Sequence, residues 1–134
     1  MKREVTFLHK KAVNSLILSV ELFNRPSDVG RLKAVLIFLD HSFEMLLKSA
    51  ILHRGGKIYE PKSSYTIGFD KCVRRALTDG TIKFLTDDQA LTLQNINNLR
   101  DAAQHHLIDM SEQQLYMQAQ AGLTLFRDIY RDAF

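Results

Sequence analysis

An arginine and a histidine, Arg100 and His105, stand five positions apart, with Asp101 directly after the arginine and His106 directly after the histidine. The guanidinium is a permanent cation whose fork of donors matches phosphate oxygens. The imidazole takes up and releases a proton near neutral pH. These groups are the minimum set for cleaving RNA without a metal. A base deprotonates the ribose 2′-hydroxyl, the arginine stabilises the charged phosphorane, and an acid protonates the leaving 5′-oxygen.

The spacing of these two residues limits how they can meet. Residues five apart on an ideal helix point about 140° away from each other. Arg100 and His105 therefore converge only if the helix ends or distorts between them, or if two copies of the segment face each other in a symmetric dimer. Asp109 and a cap at Ser111 indicate that the helix ends nearby.

Each candidate residue also has a structural interpretation. Arg100 pairs with Asp101, Asp109 or Glu44 in that interpretation, and His105 or His106 interacts with a helix dipole.

Glu44 lies on the most apolar helix, where a charge needs a partner. That partner is Arg100, which Glu44 would orient, or Lys48 one turn away. Asp40 and His41 line the same cleft or form a polar stripe.

Hydrophobic periodicity predicts five helices. The first runs from Val5 to Phe23, with Phe7 and Ile17 among its inward positions. The second helix is capped by Ser27 and ends at His53, and a short third helix covers residues 69–77. The fourth and fifth helices each begin with a capping box, at Thr86–Gln89 and at Ser111–Gln114. Residues 55–67 form an irregular stretch. The sequence thus predicts an all-α fold, an antiparallel bundle of four long helices and one short helix, in a single domain of residues 1–134.

Composition narrows the class of protein. Apolar residues make up 46% and charged residues 25%, which is ordinary for a globular domain. A single cysteine, Cys72, excludes an internal disulfide. The sequence shows neither a signal peptide nor a membrane-spanning apolar run, so we expect a cytoplasmic location and no membrane partner. Neither a metal-ligand cluster nor a phosphate-binding glycine loop is present, so we expect no metal and no cofactor.

The pattern of Arg100, Asp101 and His105 resembles the signature of the HEPN superfamily, in which an arginine and a polar residue precede a histidine. Three further segments, and the stretches around Leu99 and Leu115, are similar to a bacterial family called domain of unknown function 3644: Lys11–Pro26, Ser42–Ser49 and Tyr65–Cys72. The resemblance implies a HEPN-like helical domain, usually dimeric. It also implies a superfamily rich in metal-independent ribonucleases of toxin–antitoxin and antiviral defence systems, in which the arginine and histidine of both protomers meet at the dimer interface.

Two departures from that pattern matter. The residue after the arginine is often asparagine in the family, whereas here it is Asp101. Family members also commonly continue beyond this length, so we expect the chain to correspond to an N-terminal portion of a longer architecture. We expect a homodimeric ribonuclease acting on RNA and regulated by a cognate antitoxin or another protein. His105 would transfer protons, Arg100 would bind phosphate, and Asp101 would tune them. The alternative is a non-catalytic module for dimerisation or for binding RNA or a partner.

Overall fold

A computed structural model describes residues 2–105 and 108–134, and its helices confirm the all-α prediction. The five helices are α1 (Arg3–Phe23), α2 (Arg31–His53), α3 (Phe69–Thr78), α4 (Asp87–Gln104) and α5 (Glu112–Ala133). Within the described ranges the β pairing is a single isolated bridge, between Tyr59 and Thr66. No helix in this part of the chain combines the length and the apolar character needed to cross a bilayer.

Helices α1 and α2 form an antiparallel hairpin held by small hydroxyl side chains. Ser19 Oγ donates to the carbonyl of Val35 at 2.9 Å. Near the other end, Ser49 Oγ donates to the carbonyl of Val5 at 3.0 Å. Both serines are buried, so each needs such a partner, and their small size lets the two backbones approach closely.

The start of α2 differs from its prediction. Ser27 does not cap the helix; its hydroxyl accepts from the amide of Val29 inside the preceding turn. Gly30 occupies the N-cap position with φ of 67°, a left-handed conformation that glycine adopts without steric cost, and α2 begins at Arg31.

Helix α2 is the central element, because it packs against each of the other four helices. Helix α4 runs antiparallel to α2, whereas α5 runs parallel to it. The α5 contact is close: a Cβ at Gly122 would lie 2.9 Å from Cδ1 of Leu39. The buried apolar face of α2 therefore organises the whole domain.

The two predicted capping boxes are confirmed. Thr86 Oγ1 accepts from the amide of Gln89 at 3.1 Å, and Ser111 Oγ accepts from the amide of Gln114 at 3.1 Å. A small apolar cluster at the same end of the molecule as Ser111 joins the last turn of α4 to α2 and α5. Its buried members are Val35, Leu36, Ala103 and Leu115. This cluster fixes the turn of α4 that carries Arg100.

Two apolar residues of α1 that were predicted to face inward are exposed instead. Phe7 is 57% exposed and Ile17 is 50% exposed. Positions on the edge of a helical stripe share the period of the buried face, so periodicity alone assigns them wrongly.

Candidate functional site

A buried carboxylate lies where α2 crosses the last turns of α4. Asn97 Nδ2 donates to both oxygens of Asp40, at 3.1 and 3.2 Å. Arg100, one turn further along α4, places its Nε 3.3 Å from Asp40 Oδ2. Asp40 thus receives an amide and a guanidinium from the same face of α4, because residues three apart on a helix are neighbours.

The guanidinium of Arg100 has two further partners on its own helix. Its Nη2 lies 3.1 Å from Oδ1 of Asp101, and its Nη1 donates to Oε1 of Gln104 at 2.9 Å. The Arg100 side chain is 29% exposed. Two carboxylates and an amide therefore hold one partly exposed cation in a defined orientation.

One polar atom in this arrangement is left unsatisfied. Arg100 Nε is buried and, within the described part of the chain, makes no hydrogen bond of acceptable geometry. The 3.3 Å approach to Asp40 is accordingly an electrostatic contact and not an aligned hydrogen bond. A buried donor without an acceptor costs about 1–3 kcal/mol, so the fold tolerates a local penalty here.

Burial raises the pKa of the Asp40 carboxyl above its ordinary value. The hydrogen bond from Asn97 and the charge of Arg100 lower the pKa, and the nearby charges of Glu44 and Asp101 raise it. Desolvation is the largest of these effects, because the carboxylate is almost completely removed from water.

In the described part of the chain, no ion pair joins Glu44 to Arg100. Glu44 Oε2 instead accepts from Nζ of Lys48 at 2.7 Å, which is the one-turn pair considered as the alternative. Lys48 is buried, at 3% exposure, and also donates to Oγ1 of Thr66 at 2.8 Å. Asp40, one turn before Glu44, occupies the position beside the guanidinium that Glu44 was expected to take.

His105 is the C-cap residue of α4, and its amide donates to the carbonyl of Asp101 at 3.2 Å. His105 is exposed, as is His41 on α2. The helix remains regular up to Gln104, so the angular separation of Arg100 and His105 is not removed within one chain. His106 was also a candidate, and it lies outside the described residues.

Sequence reasoning missed Asn97 and Gln104 as parts of the site. Their spacing from Arg100, three residues before and four after, was the available signal, because both positions share its face of α4. Among the described residues no group of three or more histidine, cysteine, aspartate or glutamate side chains is placed to hold a metal ion. The site therefore offers a preoriented cation and an exposed imidazole at one end of one helix.

Comparison with known proteins gives the family. A family model described as "Domain of unknown function (DUF3644)" matches residues 7–134. The chain belongs to this family. The DUF3644 match includes the whole of the Asp40–Arg100 contact and the His105 cap. No curated protein and no solved structure shows significant similarity to the chain.

Proposed function

We propose that this DUF3644 chain is a HEPN-like, metal-independent endoribonuclease, or a domain derived from one, that acts as a homodimer in a prokaryotic defence or toxin-type system. The observation that carries the proposal is the Arg100 guanidinium, which is preoriented by Asp40 and partly exposed on the helix that ends at His105. Burying an ionic group on an otherwise apolar helix lowers stability, and such buried ionic groups are more frequent at functional sites than elsewhere.

The geometry supports a site shared between two copies of the chain. Arg100 and His105 lie about 7.5 Å apart along the axis of α4 and point about 140° apart. A two-fold axis beside the end of α4 would place Arg100 of one copy near the partner's His105. An isologous interface of this kind repeats every contact twice and provides two composite sites, each with one Arg100 and one His105.

The reaction needs one Arg100, one His105 and water. One His105 imidazole removes the proton of the ribose 2′-hydroxyl, and the 2′-oxygen attacks the adjacent phosphorus. The bond from phosphorus to the 5′-oxygen breaks, a water molecule protonates that oxygen, and the imidazolium returns its proton to solvent. The products are a 2′,3′-cyclic phosphate and a 5′-hydroxyl. Arg100 stabilises the additional negative charge on the phosphorane.

A second function, a non-catalytic module for dimerisation or partner binding, is favoured by one specific observation. Arg100 is already paired with two carboxylates, Asp40 and Asp101, so a phosphate must compete with both. In such a module the Asp40–Arg100 pair would keep α2 and α4 in register for an interface, and no substrate would be turned over.

Cleavage of single-stranded RNA in the presence of EDTA tests the enzymatic proposal. Wild type is compared with Arg100→Ala and His105→Ala, and with Arg127→Ala as the control. Arg127 is 71% exposed on α5 and also pairs with an adjacent aspartate. We expect each site variant to lose at least about 100-fold in rate and the control to retain it. Absence of cleavage by wild type, or equal rates in all four proteins, would contradict the enzymatic proposal and leave the non-catalytic module.

A further inference from the structure

The segment between α2 and α3, predicted to be irregular, forms a narrow hairpin at residues 57–67. The amide of Glu60 donates to the carbonyl of Tyr65 at 2.9 Å, and the amide of Ile67 donates to the carbonyl of Ile58 at 2.7 Å. Ile58 and Ile67 are both buried in the main apolar core. The base of the hairpin is thus part of the folded domain.

Side-chain hydrogen bonds fix this hairpin to three helices. Each bond joins one hairpin residue to a different helix: Tyr59 donates to Glu4 of α1 at 2.5 Å, Thr66 accepts from Lys48 of α2 at 2.8 Å, and Glu60 accepts from Lys71 of α3 at 3.0 Å. A segment held at so many points presents its tip in a fixed position.

The tip carries features that its own packing does not explain. Tyr65 is 79% exposed, the highest exposure among the large apolar and aromatic side chains of the described residues. Lys62 has φ of 55°, a left-handed conformation uncommon for a residue with a side chain. Strained backbone and exposed aromatic rings are both enriched where proteins contact ligands.

The hairpin and helix α3, which follows it, together carry an excess of positive charge. Residues 57–75 contain five lysine and arginine residues and two acidic residues, an excess of three positive charges that equals the net charge of the whole chain, +3. Lys57 and Lys62 are exposed on the same hairpin as Tyr65. A cationic surface around an exposed aromatic ring is the arrangement that binds single-stranded nucleic acid, because the ring stacks on a base and the cations contact phosphates.

This surface is connected to the Arg100 site along one side of α2. Asp40, Glu44 and Lys48 follow each other at intervals of one turn; Asp40 contacts Arg100, and Lys48 contacts Thr66, the residue after Tyr65. Eight residues of helix span about 12 Å. That length corresponds to three or four stacked nucleotides at roughly 3.4 Å each.

We propose that the 57–67 hairpin is a second RNA-binding subsite, in which Tyr65 stacks on a base of single-stranded RNA while Lys57 and Lys62 contact its phosphates. The proposal rests on the proposed function, because it takes RNA as the ligand. The new elements are that the RNA strand extends from the Arg100 site to the hairpin, and that the hairpin binds RNA whether or not cleavage occurs.

A fluorescent reporter at the tip separates this binding from catalysis. The chain contains no tryptophan, so Tyr65→Trp introduces a single indole at the proposed stacking position. The control reporter is Ile17→Trp, because Ile17 is also exposed, at 50%, but lies on α1, whose main packing partners in the described part of the chain are α2 and α5 and not the helix that carries Arg100. The ligand is a short 2′-O-methyl oligoribonucleotide, which lacks the nucleophilic hydroxyl and cannot be cleaved.

We expect saturable quenching of the Tyr65→Trp emission that weakens as salt is raised, and little change in the Ile17→Trp emission. In anisotropy titrations with labelled RNA, Tyr65→Ala should weaken binding by about 5- to 150-fold, whereas Tyr65→Phe should bind as wild type does. Quenching that persists in an Arg100→Ala background supports the hairpin subsite even if no cleavage is found. RNA binding unaffected by Tyr65→Ala, equal quenching of both reporters, or a hairpin that binds only protein ligands would overturn the proposal, even in an active ribonuclease.

Discussion

The Asp40 carboxylate lies 3.3 Å from Nε of Arg100, and Asp40 is the more deeply buried partner, with its side chain 6% exposed against 29% for the arginine. The acidic group belongs to the central helix α2, and the basic group reaches it from the last turns of α4. The contact therefore holds the Arg100 guanidinium at a fixed depth, with one side covered by protein and the other accessible.

Asp40→Asn should change how stability depends on pH. Burial raises the pKa of Asp40 above its ordinary range, so this group's contribution to the free energy of unfolding is complete below that range. The contribution is lost as the pH rises through the raised value. The asparagine variant lacks this loss, so its free energy of unfolding relative to wild type should increase between about pH 4 and pH 7. Urea denaturation at both pH values measures the difference.

The matched control for this variant is Asp101→Asn, which removes the other carboxylate that contacts Arg100. The Asp101 side chain is 55% exposed, so we expect a change within about 0.5 kcal/mol at either pH. If the relative stability of Asp40→Asn instead fell as the pH rose, the attraction of Arg100 would outweigh the desolvation of Asp40, and burial would not be the dominant influence on that carboxyl.

Thr66→Val should loosen the hairpin without disturbing the helices. The substitution keeps the shape of the side chain and removes the acceptor for Nζ of Lys48, which is 2.8 Å away and buried. We expect a loss of about 1–3 kcal/mol in the free energy of unfolding, because a buried donor loses a partner. Hydrogen exchange at the Ile67 amide, which bonds across the hairpin, should accelerate. Ser64→Ala at the exposed tip is the control, and similar exchange rates in both variants would contradict the role assigned to Thr66.

Cys72 should resist thiol reagents while the protein is folded. The side chain is fully buried, and burial raises the pKa of its thiol to about 12. With a pKa of about 12, only about one thiol in ten thousand is ionised at pH 8, and the thiolate is the reactive form. A Ser64→Cys variant supplies an exposed thiol for comparison. With a disulfide reagent we expect one fast equivalent in that variant, and a second only after urea is added. Fast modification of the native wild type would show that Cys72 is accessible.

The sequence predicted the elements whose signals are local. Capping boxes at Thr86 and Ser111 depend on residues three apart, and the structure contains both. The cap proposed at Ser27 was wrong, because the turn that follows uses this hydroxyl for the Val29 amide and leaves Gly30 to begin the helix. The choice between these two caps depends on the packing of α2 against α1, and the local sequence pattern does not determine that packing.

The site was predicted only in part, for a related reason. Asp40 and Glu44 are one turn apart on α2, so periodicity places both toward α4 and cannot say which of them faces Arg100. The choice depends on the register of α2 against α4. Packing of Ala103 with Val35 and Leu36 determines that register, and Asp40 is consequently the residue opposite Asn97 and Arg100.

Subunit mixing tests whether Arg100 of one copy works with His105 of its partner. Arg100→Ala and His105→Ala, each inactive alone, are unfolded together and refolded, and RNA cleavage is measured with EDTA present. Random pairing gives mixed dimers in about half of the molecules, each with one intact composite site of two, so about a quarter of wild-type activity should return. If the mixture remains as inactive as its components while wild type cleaves RNA, the two residues do not act across a two-fold interface.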